Sequence, residues 1–197
     1  MSAMRLRKIT PLRSGLALAC AALATAAAVL GGEPAAASAM TISSPAMTAG
    51  GTLPARFTCD GSRTSPSVRW AKPPAGTKSF AVVMHAVAGP PRPGDKPGES
   101  IHAYLIRYQL PSTLRALSEG QTTVGMFGAN TVDGKNSYSP PCSQGPGLKY
   151  YTLTVCALSA SPKFSSGAAV TRVALLAKIK KTTLASAKMT VGYSRPS

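Results

Sequence analysis

Apolar residues along this chain fall into short stretches of strand length, and Pro and Gly separate them. Residues 79–84 (Ser-Phe-Ala-Val-Val-Met) are almost continuously apolar, the pattern of a strand covered on both faces. Residues 150–158 hold β-branched and aromatic side chains throughout and make the strongest strand in the sequence. Residues 103–110, with two Tyr, two Leu and an Ile, predict another strand, and 185–193 a closing one. Residues 40–47 predict a first strand, ended by the turn at Gly50-Gly51. One helix is predicted: Thr171 caps it and apolar residues recur at helical spacing over 173–179. Lys178, Lys180 and Lys181 crowd its C-terminal end, where cations complement the helix dipole. Two long segments dense in Gly, Pro and Ser, 88–100 and 130–147, join the strands. Loops of that length in a compact domain are more often functional than idle. Together the elements predict a mostly β domain, a sandwich or barrel with one or two short helices.

The first forty residues follow another pattern. Arg5, Arg7, Lys8 and Arg13 precede an uncharged Ala- and Leu-rich run over 15–30, and Ala37-Ser38-Ala39 follows. Basic region, apolar run and small-x-small site in that order are a secretory signal. Residues 1–39 are therefore expected to be a cleaved signal peptide and 40–197 an exported domain, secreted or extracytoplasmic. The run is short and Ala-dominated for a retained membrane helix. Leu18-Ala19-Cys20 matches part of a lipobox, with Ala17 where Leu belongs, and is the weaker route to the envelope.

Charge then matters. The chain has 22 Lys and Arg against 6 Asp and Glu; without the four cations and Glu33 of the leader, 18 face 5, a net +13. Such a charge bears on association, not on fold. Anionic lipid and envelope polymers are the matching partners. The cations are scattered and not interleaved with aromatics, which argues against nucleic acid.

Cys20 leaves with the leader, and Cys59, Cys142 and Cys156 remain. Outside the cytoplasm, one disulfide and one buried thiol is the natural count. Cys59 and Cys142 lie in polar, turn-rich surroundings and are expected to pair, while Cys156 lies in a strand and is expected in the core. No Cys/His spacing suits zinc, and no metal or cofactor is expected. Catalysis is not expected either. His85 and His102 are the available imidazoles, no Gly-x-Ser-x-Gly elbow occurs, and five acids leave little room for paired carboxylates.

Several stretches recur in a known order: Phe57-Thr58-Cys59-Asp60-Gly61, Ser65-Pro66-Ser67-Val68-Arg69-Trp70, Pro74-Ala75-Gly76-Thr77-Lys78-Ser79-Phe80, then His102 and Leu117-Ser118-Glu119-Gly120. Tyr138-Ser139-Pro140-Pro141-Cys142, Leu175-Leu176-Ala177-Lys178-Ile179 and Gly192-Tyr193-Ser194-Arg195 complete it. The chain resembles the phosphatidylethanolamine-binding protein family, in its bacterial Raf-kinase-inhibitor-like branch, over essentially all of 40–197. The resemblance implies an antiparallel β-sandwich with a small anion-binding cavity at one end. Family members bind phosphate-bearing or carboxylate ligands there, and several inhibit kinases or proteases.

Carried over one by one, the cavity residues depart from the family. Its central strand ends in Asp-Pro-Asp-x-Pro; here Ala86 and Ala88 stand at the two aspartates and only Pro90 is kept. The strand-opening His is present as His102. Tyr138, Pro141 and Cys142 match, with Ser143-Gln144 in place of Pro-Pro. The family's His-Arg-Tyr reads Lys149-Tyr150-Tyr151. The expected ligand-binding set is His102, Lys149, Tyr151, Tyr138 and Pro141, joined by His85 if that side chain points inward. A pocket with cations and no carboxylate is expected to favour phosphate or carboxylate over an ethanolamine headgroup. Two readings of function stay open: a binding protein or inhibitor of an unknown protein target using this pocket, and a silent pocket on a protein whose basic surface does the binding.

Overall fold

The computed structural model describes residues 39–87, 101–144 and 147–195. The leader with Cys20, and the segment holding Ala88, Pro90, Asp95 and Glu99, lie outside the described residues. In chain order the elements are β1 (Thr41–Ser43), β2 (Val68–Ala71), β3 (Ser79–Val87), β4 (Ile101–Pro111), β5 (Ala116–Leu117), β6 (Met126–Phe127), β7 (Lys149–Leu158), α1 (Arg172–Ile179) and β8 (Thr183–Tyr193). They make two antiparallel sheets, β1-β2-β5 and β6-β4-β3-β7-β8.

The apolar run of β3 is explained by its position. It pairs with β4 on one side and β7 on the other, and both its faces are covered. Phe80, Val82, Met84 and Ala86 join the core between the sheets, with Val68 and Trp70 of β2 and Leu117 of β5. Ala81 and Val83, on the other face, pack with Ile106, Cys156 and the Leu175 and Ile179 side chains of α1. The fold is thus three layers: small sheet, large sheet, helix. β7 and β8 are inward at alternate residues, Tyr151, Leu153 and Val155 on one and Met189, Val191 and Tyr193 on the other. Trp70 lies in this core with its ring 5.2 Å from that of Phe80.

The helix forms where it was expected. The Thr171 hydroxyl accepts the Ala174 amide at 3.2 Å, satisfying one of the first-turn donors. The first strand is shorter than expected, three residues against eight, because Pro45 has no amide for a ladder and Ser44 Oγ takes the Ala46 amide instead. β2, β5 and β6 are four, two and two residues long, too short to leave a periodic signal. Residues 130–137, the start of the second long segment, are held by one side chain. Asn130 accepts the Val132 and Asp133 amides through Oδ1 and donates through Nδ2 to Asp133 Oδ1 and the Lys135 carbonyl. Gly128 lets this stretch pass beside β4, since a Cβ there would collide with the Val170 carbonyl and Ile106.

Candidate functional site

At the end of β3 the inward residue is Ala86, and its partner across the ladder is His102 of β4. A bulge lies just beyond. Met84 faces Leu105 but His85 faces Ala103, so Tyr104 is one residue extra on β4. The slip turns Tyr104 toward the inter-sheet core, which it packs against. His102 and Tyr104 rings are near-parallel with centroids 6.4 Å apart, and Tyr104 meets Tyr151 edge-on at 5.5 Å. Tyr138 closes the group, its hydroxyl donating to the Phe57 carbonyl.

Burial governs these phenols. It raises the pKa of Tyr104, and pushes that of Tyr151 up to about 12 with the help of neighbouring Tyr104 and Tyr193. Burial, then Tyr104 and Tyr151, raise Tyr138 far above the usual phenol range. All three hydroxyls are therefore protonated donors at neutral pH. Tyr138's is spent on Phe57, while among the described residues those of Tyr104 and Tyr151 are committed to no hydrogen bond.

The surrounding loops are fastened to the strands. Cys59 and Cys142 form a disulfide, Cα atoms 5.1 Å apart, and the Cys59 amide donates to the Pro141 carbonyl at 3.0 Å. The Ser139 amide donates to the Tyr104 carbonyl at 2.9 Å, so Tyr138 and the buried Pro141 are held against β4. Asp60, next to the disulfide, accepts the Tyr193 hydroxyl and Arg195 Nε, each at 2.8 Å. Its charge is thereby balanced. Lys149 opens β7 opposite Tyr193, two residues before Tyr151, and is exposed. That spacing gives it the same sheet face as Tyr151.

The structure thus brings together His102, Tyr138, Tyr151 and Pro141, with Lys149 at the strand end. His85 is not with them. It alternates with Met84 and Ala86 and lies on the helix side of the sheet, among Val83, Cys156 and Arg172. The inward orientation considered from the sequence is corrected by strand parity. Tyr104, Asp60 and Tyr193 join the group without having been singled out as site residues. Asp60 and Tyr193 stand inside the matched motifs, and Tyr104 is two residues from His102, a spacing that puts strand neighbours on one face. Among the described residues no three His, Cys, Asp or Glu side chains gather as metal ligands.

A two-sheet sandwich with a cluster of tyrosines and an imidazole at one end of its core is the architecture to compare with known proteins. The family model described as Phosphatidylethanolamine-binding protein matches residues 43–194, and the chain belongs to that family. A UPF0098 protein of Chlamydia pneumoniae is 30% identical over 112 residues, 57% of this chain and 72% of that one. One from Aquifex aeolicus is 32% identical over 114 residues, 54% of this chain and 61% of that one. Among solved structures, one described as a phosphatidylethanolamine-binding protein homolog from Chlamydia trachomatis superposes with a TM-score of 0.71 at 25% identity, covering 80% of this chain and 99% of its own. YbcL of E. coli gives 0.67 at 22% identity, covering 81% and 100%, a likeness of fold.

Proposed function

We propose that this is an exported binding protein or inhibitor, without catalytic activity, whose end pocket takes a small phosphate or carboxylate in preference to an ammonium-bearing headgroup. One observation carries the reading: the inward residue beside His102 is Ala86, and the carboxylate bonded to the cluster, Asp60, is already held by Tyr193 and Arg195. What remains to meet a ligand is donors, namely the Tyr104 and Tyr151 hydroxyls, the His102 imidazole and the Lys149 ammonium. An anion satisfies them and a cation does not. The Cys59–Cys142 disulfide supports an oxidising location and hence export.

The test is titration of the full chain with inorganic phosphate by isothermal calorimetry, alongside His102→Ala and Lys149→Gln. Each substitution is expected to weaken binding about tenfold, the value of roughly one charge-assisted hydrogen bond. Phosphate binding that is unchanged in both variants, with steeply salt-dependent adsorption to anionic vesicles, would instead assign recognition to the basic surface.

A further inference from the structure

On the face of the large sheet away from the small one, under α1, lies a cavity. It measures about 350 Å³ and has an apolar wall of Val83, Leu176 and Ile179. Val83, Thr154 and Lys188 form one row across three strands, and Arg172, the first residue of α1, lines the same space with His85. Lys188 and a third cation, Lys180, reach the cavity from exposed positions, while Arg172 is half-buried. Among the described residues no Asp or Glu lines the cavity, and neither Arg172 nor Lys188 takes part in an ion pair.

Two buried nitrogens there, His85 Nδ1 and Arg172 Nε, have no hydrogen-bond partner among the described residues. Buried polar groups in native proteins are nearly always satisfied, and a guanidinium is costly to leave unpaired. Burial, then Arg172 and Lys188, hold the His85 pKa down at about 4, so at neutral pH its ring is uncharged and offers one donor and one acceptor. The groups combine an uncompensated positive field with an apolar wall, in a volume at the lower end of small-ligand sites.

We propose that this cavity is a binding site for a small organic acid, with the carboxylate held by Arg172 and Lys188 and the apolar body against Val83, Leu176 and Ile179. It is separate from the end pocket and does not rest on the function proposed for it. Benzoate is the probe, with benzylamine as a control of like shape and opposite charge, and inorganic phosphate as an anion with no apolar body. Methyl-resolved NMR titration of the full chain is expected to show benzoate shifting Val83, Leu176 and Ile179 saturably. The Arg172→Gln/Lys188→Gln double variant should weaken this at least tenfold, while His102→Ala leaves it unchanged. Benzylamine and phosphate should not saturate these signals. The proposal is overturned if benzoate fails to saturate, if the double variant binds it equally, if its shifts fall at His102 and Tyr104 instead, or if phosphate or benzylamine saturates the same methyl signals as tightly.

Discussion

In the binding function proposed above, Ala86 decides what the His102 end of the sandwich takes. It occupies the inward position beside His102 where a carboxylate would attract an ammonium, and a methyl group there leaves the pocket to its donors. Ala86→Asp is therefore expected to move selectivity toward phosphoethanolamine over inorganic phosphate by about tenfold, the scale of one partly screened ion pair. Calorimetric titration of the variant with both ligands measures it, and an unchanged ratio would show that residue 86 does not govern selectivity. One residue earlier, His85 makes the opposite face pH-sensitive. Its pKa is lowered to about 4 by burial and by Arg172 and Lys188, while the unfolded chain holds the same proton with the ordinary value of 6.5. Between those values the unfolded state binds more protons, so stability falls as pH drops from about 6.5 toward about 4. Melting temperatures at about pH 7 and about pH 4.5 should differ less in His85→Gln than in the native protein. An identical difference would remove His85 as the cause.

At the scale of elements, β4 is the strand that organises the molecule, and its two irregularities decide which side chains face the core. Between Phe80–Leu110 and Val82–Arg107 one extra residue is again accommodated on β4, with Gln109 at φ 55° and its amide donating to the Pro162 carbonyl at 2.8 Å. The slip sends Arg107 inward, where it is fully buried. Its guanidinium donates to the Gln121 and Val124 carbonyls and lies 3.9 Å from the centre of the Phe127 ring, tying the segment before β6 to the sheet. Arg107→Met keeps the bulk but leaves two carbonyls without donors, and should cost about 2 kcal/mol in urea unfolding. An unchanged midpoint would mean those carbonyls find other partners. The long strands and the capped helix could be read from the sequence because apolar periodicity marks each. The bulges could not, since one inserted residue reverses every later side chain while leaving composition unaltered. The same limit applies to the site. The motifs pointed to His102, Tyr138, Pro141 and Tyr151, but β3 is apolar on both faces, so its alternation alone did not say on which side His85 lies.

At the scale of the molecule, the two faces of the large sheet carry different side chains. One end between the sheets is aromatic and closed by the Cys59–Cys142 bridge, which spans 83 residues of sequence and holds Asp60 near Tyr193 and Arg195. The cavity on the helix side is lined by cations and, among the described residues, by no acid. The three acids among the described residues, Asp60, Glu119 and Asp133, each meet a cation, so the excess of Lys and Arg is not neutralised internally. A net positive charge favours anions generally, so in the proposed function selectivity comes from the cluster around His102 rather than from charge. The decisive measurement is a side-by-side NMR titration of the full chain with inorganic phosphate and phosphoethanolamine at fixed salt, followed at His102, Tyr104 and Tyr151. Phosphate is expected to shift these residues at least as tightly as phosphoethanolamine; a clear preference for phosphoethanolamine would overturn the anion selectivity proposed for this site.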